Sequence, residues 1–238
     1  MPVPSYQLVC TGHKKIAHDV YEFTFTRPGE MTFRAGQFVL FDVPLLENPT
    51  DIQTRAFSIA STPMEDELLF VAKLKQGGRA SRWIETSLKT GDRVRTQGPF
   101  GNFVIHSENQ KELLFIATST GVAPFRSQIL DALESGFTKQ IDLVFGVRNQ
   151  EDLFWKEEFQ KIAQQYEHFN LHIALSGNEE EWIGHRGRVQ TLVTLICKDF
   201  STKQIYVCGS PDMTKEMKRL CLEEWGVQKT DLHVEGYI

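Results

Sequence analysis

The feature that most constrains this chain is a change of hydrophobic rhythm at Lys111. Before it, apolar residues come in short runs, several with period two, separated by turn residues. After it, short wholly apolar runs alternate with stretches of helical period. Such a switch calls for an antiparallel all-β unit followed by a doubly wound parallel sheet. A chain of 238 residues is long enough for two compact domains. The expected domains are 1–107 and 108–238.

In the first half, Val20 to Thr26 alternates, with Tyr21, Phe23 and Phe25 on one face and Glu22, Thr24 and Thr26 on the other. Gln37 to Val43 reads as a strand ended by Pro44. Leu45 to Gln53 reads as a polar loop around Asn48-Pro49. Arg55 to Ala60, Leu68 to Leu74 and Arg93 to Thr96 supply further strands. Together they predict a closed antiparallel barrel. One helix interrupts the series, Arg82 to Leu88, with Ser81 as its N-cap. Gly98-Pro-Phe-Gly101 reads as a tight turn between the domains.

In the second half, strands are predicted over Leu113 to Ala117, Ile141 to Phe145, Leu171 to Leu175, Ile205 to Cys208 and Leu232 to Tyr237. Helices are predicted from Pro124, along Trp155, Phe159, Ile162 and Tyr166, along Val189, Leu192, Val193 and Ile196, and after Ser210-Pro211. In such sheets ligands bind beyond the carboxyl ends of the strands.

Several stretches carry chemistry. Arg55-Ala-Phe-Ser58 holds a fixed cation, a flat ring and a hydroxyl within four residues. As a strand it puts Arg55 and Phe57 on one face, Ala56 and Ser58 on the other. The ring suits a flat aromatic ligand and the guanidinium a phosphate. Taken alone, the pattern fits an ordinary strand with one surface arginine better. Gly77-Gly-Arg-Ala-Ser81 is either a plain loop with a capping serine or a backbone cradle for phosphate. Thr118-Ser-Thr-Gly-Val-Ala-Pro124 leads small residues into a helix, a fit for pyrophosphate. Cys208-Gly-Ser-Pro-Asp212 repeats that architecture behind a thiol, and Gly146-Val-Arg148 sets a cation at a third strand end. No Gly-x-Gly-x-x-Gly occurs, so the common dinucleotide fingerprint is missing.

Net charge of −5 argues against nucleic acid and anionic membrane partners. The longest apolar runs are strand-length, too short to span a bilayer, and the N-terminus lacks a secretory pattern. The four cysteines, Cys10, Cys197, Cys208 and Cys221, form no Cys-x-x-Cys pair. This speaks against a metal or iron–sulfur centre and for reduced thiols in the cytoplasm.

These motifs, in this order, resemble the ferredoxin–NADP reductase-like flavoprotein superfamily over nearly the whole chain. Arg55-Ala-Phe-Ser58 is similar to its flavin motif, and Gly78-Arg-Ala-Ser81 to its flavin-phosphate loop. Gly121-Val-Ala-Pro124 is similar to its nucleotide loop, Cys208-Gly-Ser-Pro to its cysteine–glycine motif, and Glu235-Gly-Tyr237 to its C-terminal end. The resemblance implies a flavin domain followed by a pyridine-nucleotide domain, with FAD rather than FMN. It implies that Arg55 holds a flavin phosphate, Phe57 packs on the ring, and Ser58 bonds near flavin N5. Gly78, Arg79, Ala80 and Ser81 would hold the flavin pyrophosphate. Thr120, Gly121 and Pro124 would shape the nucleotide pyrophosphate site. Cys208 and Gly209 would border nicotinamide C4, Tyr237 would cover the flavin, and Glu235 would be a carboxylate for proton traffic. Two departures stand out: Ser119 where the family often has glycine, and Ile238 beyond the terminal aromatic.

The reaction implied is hydride transfer from nicotinamide C4 to flavin N5, then electron release to a separate acceptor such as a ferredoxin-type protein or oxygenase component. A reductase of free flavin or small oxidants, an electron-transfer subunit of a larger complex, and a flavin-free module are the alternatives. Arg148, Arg186 and Arg188 are candidate cations for the 2′-phosphate of NADPH. Glu179-Glu-Glu181 and Gly177 point instead to NADH.

Overall fold

The computed structural model describes residues 3–106, 111–178 and 180–237. The expected boundary between 107 and 108 lies outside the described residues, as do Glu179 and Ile238. Two compact units are present. The first runs to Ile105 and takes in Arg126–Asp131, and the second holds the rest. Among the described residues no helix is long and apolar enough to cross a membrane.

The first unit contains β1 (Ser5–Ala17), β2 (Val20–Thr26), β3 (Phe38–Leu45), β4 (Asn48–Ser58), β5 (Glu67–Lys73), helix α1 (Arg79–Thr86) and β6 (Arg93–Phe100). All pairings are antiparallel, in the order β4-β3-β6-β1-β2-β5. The inward residues of the alternating strands meet in a phenylalanine core. Phe23, Phe25, Phe41 and Phe70 are fully buried with ring centroids 5.0–6.3 Å apart. Helix α1 covers this core with Trp83 and Ile84.

Several expectations are corrected here. The barrel is not closed by a ladder between its end strands β4 and β5. Ala60 N–H donates to Leu69 O just past the end of β4, and upstream of it the outer edge of β4 has no partner strand among the described residues. Pro44 does not end β3, which runs on to Leu45. The β3–β6 pairing stops at Phe41, so no neighbour on that side needs the N–H that proline lacks. The polar stretch expected as a loop from Leu45 is mostly strand. Asn48 to Thr54 is exposed, so no buried face imposes an apolar alternation. Gly98-Pro-Phe belongs to β6, where Phe100 pairs with Phe38. Helix α1 starts at Arg79 with Gly78 as N-cap, whereas the Ser81 hydroxyl accepts from Lys75 N–H at 2.7 Å.

The second unit contains β7 (Glu112–Thr118), α2 (Ala123–Glu134), β8 (Ile141–Val147), α3 (Lys156–Gln165), β9 (Phe169–Leu175), β10 (His185–Arg186), α4 (Val189–Ile196), β11 (Lys203–Gly209), α5 (Pro211–Arg219) and β12 (Leu232–Gly236). All strands are parallel, in the order β10-β9-β8-β7-β11-β12. Every residue of β8 is buried, as a strand covered on both faces requires. The two-residue β10 has no sequence signal of its own. Ser210 caps α5 as expected, its hydroxyl accepting from Met213 N–H. The chain turns outward in opposite directions from β7 and β11, so the switch point of the sheet lies between their carboxyl ends.

Candidate functional site

In the first unit the site begins at the free edge of β4. Arg55 pairs with Phe41 and Phe57 with Val39, so both lie on the core-facing side, while Ala56 is exposed and Ser58 is 8% exposed. Phe57 is held edge-on by Phe23 and Phe41, with centroids 5.5 and 5.4 Å away at 88°. Two T-shaped contacts fix its plane. Asp51, Gln53, Arg55 and Phe57 follow one another on this face. Arg55 donates to Gln53 Oε1 at 2.5 Å and to Thr54 O at 2.8 Å. Asp51 receives a forked pair from Arg79, at 3.0 and 3.2 Å, which lowers its carboxyl pKa. A strip of about 20 Å thus runs from an aromatic ring, past a guanidinium, to the start of α1.

At that start the backbone is open. Gly77 has φ +71 with nothing within 4 Å of where a side chain would stand. At Gly78 an added Cβ would press on Ser81 Oγ at 3.0 Å and Lys75 O at 3.1 Å. The first N–H groups of α1 have no acceptor within the helix. An extended ligand with a flat ring at one end and phosphates beyond it fits this strip, and FAD has that form.

In the second unit two loops cross at the switch point. A Cβ on Gly121 would stand 2.3 Å from Cys208 O, and one on Gly209 would stand 2.2 Å from Thr118 Oγ1. Ser210 N–H donates to Thr118 Oγ1 at 3.3 Å. Thr118 opens the small-residue loop read from the sequence, but its hydroxyl contact to Ser210 depends on how the two loops cross. Ser119 has φ +51, the left-handed region, which explains why glycine suits that position. Thr120 and Gly121 are buried in the turn that follows, and Pro124 is the second residue of α2.

Comparison with known proteins matches residues 7–105 to the oxidoreductase FAD-binding domain and residues 115–219 to the oxidoreductase NAD-binding domain. Ferredoxin--NADP reductase B of Sorangium cellulosum is 31% identical over 227 residues, covering 92% of this chain and 91% of that protein. The chain belongs to the ferredoxin–NADP reductase-like flavoprotein superfamily. The family's class of activity, NAD(P)H-dependent flavoprotein oxidoreduction, comes with that membership. The phenol 2-monooxygenase reductase component DmpP of Pseudomonas sp. (strain CF600) is 32% identical over 216 residues, covering 89% of this chain. This chain spans 60% of that protein's length. Two solved structures share the fold. The Amycolatopsis cytochrome P450 reductase GcoB has a TM-score of 0.90 at 24% identity, covering 99% of this chain and 70% of that one. A ferredoxin NADP+ reductase from Neisseria gonorrhoeae with bound FAD and NADP has a TM-score of 0.83 at 21% identity, covering 98% of each.

In this member of the superfamily, Cys208, Glu235 and Tyr237 cluster at the carboxyl ends of β11 and β12. Cys208 pairs in register with Glu235, and Tyr237 N–H donates to Gly209 O at 2.9 Å. Cys208 is fully buried. Burial and the Glu235 charge hold its thiol far above the ordinary range, against a hydrogen bond to the Tyr237 side chain. Its neutral form is favoured. Burial also raises Glu235, to about 7. Arg186 donates to Glu180 O and Trp182 O, whereas Arg148 and Arg188 are exposed. A Cβ on Gly177 would stand 2.2 Å from Asn149 Oδ1 and 2.6 Å from Arg148 O.

Proposed function

We propose that the chain is an FAD-dependent NAD(P)H oxidoreductase that passes electrons to a separate protein acceptor, such as a ferredoxin-type protein or an oxygenase component. The observation that carries this reading is the open edge of β4, where Phe57 is clamped edge-on beside Arg55. When bound, the two cofactors supply the redox chemistry: hydride leaves nicotinamide C4 for flavin N5, and electrons then leave singly or in pairs.

The chain supplies binding and orientation. Arg55 would hold a flavin phosphate, and Phe57 would pack on the ring. Ser58 and the strand backbone bond the ring edge, and Gly78 to Ser81 hold the pyrophosphate on the N–H groups of α1. Thr120, Gly121 and Pro124 shape the site for the nucleotide pyrophosphate. Cys208 offers a neutral thiol beside the nicotinamide. Tyr237 would offer its ring to the flavin. Glu235 holds a proton near neutral pH.

We infer a preference for NADH. Gly177 has no room for a side chain, let alone a cation. Arg186 is engaged by carbonyls of its own loop, so it is held away from a 2′-phosphate. A reducing cytoplasm suits the four free, buried cysteines.

The test is steady turnover of the FAD-loaded chain with NADH and ferricyanide. Turnover is expected, with loss of FAD on gel filtration in Phe57→Ala. A loaded chain that does not oxidise either nicotinamide cofactor would overturn the reading.

A further inference from the structure

The end of the flavin strip away from Phe57 is built by an irregular hairpin. Ile52 pairs with Pro44 and Asn48 with Leu45, so Pro49, Thr50 and Asp51 bulge out of the ladder with no partner on β3. Thr50 Oγ1 donates to Asn48 Oδ1 at 2.8 Å and draws the bulge together. Bulges re-aim side chains, and this one turns Asp51 onto the first residue of α1. Arg79 donates through both terminal nitrogens to the two Asp51 carboxylate oxygens, at 3.0 and 3.2 Å, and also to Asp51 O at 3.1 Å. One turn further along α1, Arg82 pairs with Glu47 of the same hairpin at 2.5 Å. Leu46 between them packs against the core. The hairpin arm is therefore held to the helix at two points, and the Asp51 carboxylate has a fixed plane.

That carboxylate keeps spare capacity. Each of its oxygens accepts one N–H from Arg79, whereas an ionised carboxylate offers about four acceptor sites. No other donor reaches either oxygen among the described residues. The Asp51 side chain is 47% exposed and that of Arg79 only 19%, so the spare sites are open and the guanidinium behind them is covered. The Arg79 hydrogen bonds hold the carboxyl in its charged form. Two fixed anionic acceptors side by side suit two neighbouring hydroxyls that both donate, as on a ribose. They repel a phosphate.

We propose that Asp51 binds the adenosine ribose of FAD, and that this contact makes the site select FAD over FMN. The inference rests on the reading that the strip holds a flavin. FMN ends at one phosphate, within the span served by Arg55. FAD continues past the start of α1 with a second phosphate and a ribose, and Asp51 stands there. A carboxylate that only neutralised Arg79 would not distinguish one ribose from another.

The test is calorimetric titration of the full chain, freed of flavin, with FAD, with its 2′-deoxyadenosine analogue and with FMN. The wild type is expected to bind FAD about tenfold more tightly than the deoxy analogue, the scale of one hydrogen bond to a charged group. Asp51→Ala is expected to bind those two alike, with no loss of affinity for FMN. Equal affinity of the wild type for FAD and the deoxy analogue would overturn the ribose contact without recourse to a variant. A preference of undiminished size in Asp51→Ala, or an equal loss of FAD and FMN, would overturn the assignment to Asp51. A wild type that binds neither FAD nor FMN would instead remove the flavoprotein reading beneath it.

Discussion

At the residue scale, three side chains carry most of what is testable. Phe57 is the flat wall of the flavin strip, held by Phe23 and Phe41. Phe57→Ala is expected to cost about 3 kcal/mol, the lower end for a buried phenylalanine because the ring is only partly buried, and chemical denaturation measures it. Ser119 holds the left-handed conformation at φ +51, so Ser119→Gly relieves strain. A gain of about 1 kcal/mol is expected in the same assay. Glu235 is raised from 4.5 to about 7 by burial, so its charged form is the penalised one. Stability from this group is greatest below pH 4.5 and falls as pH rises to about 7. Glu235→Gln is therefore expected to stabilise the fold at pH 8 and change little at pH 4.5. A variant less stable than wild type at pH 8 would contradict that assignment. The sequence made Phe57 and Glu235 visible because each sits in a compact motif. It did not show that Cys208 is a fully buried neutral thiol, since burial depends on the strands and loops around it.

At the element scale, the sheet of the second unit is tied at the amino end of its strands by a polar row. Asp142 on β8 receives His172 Nε2 and Asn170 from β9, both at 3.1 Å, and Lys203 from β11 at 3.3 Å. Lys203 also reaches Glu112 on β7 at 2.8 Å. Burial works against the Asp142 charge, but these partners hold its carboxyl below the usual value. Its contribution is present at neutral pH and is lost as pH falls through the lowered pKa. Asp142→Ala is expected to cost about 3 kcal/mol at pH 7, and less in acid, because it leaves Lys203 with one partner. At the other end, Gly121→Ala drives a methyl into Cys208 O. It is expected to abolish pyridine-nucleotide binding while flavin is retained, which calorimetry with the nucleotide tests. The strands β7 and β8 were legible because buried parallel strands are almost continuously apolar. The hairpin of β3 and β4 was not, because its exposed arm has no buried face to mark it. Asp51, which binds Arg79, was hidden for the same reason.

At the scale of the whole molecule, the change of rhythm at Lys111 was enough to show an antiparallel unit followed by a parallel one. The opening between β4 and β5 was not legible, because pairing between strands distant in sequence leaves no local pattern. The nucleotide preference depends on space at Gly177 and on the bonds of Arg186, both set by loop packing. The expected result is a KM for NADH at least about tenfold below that for NADPH, the scale of 1.4 kcal/mol from one missing charge contact. The most direct test of the central claim is a visible spectrum of the purified chain, titrated anaerobically with NADH and, separately, with NADPH. The account expects a yellow protein that bleaches stoichiometrically, at lower concentration with NADH. A flavin-loaded chain whose spectrum neither nucleotide changes would contradict it.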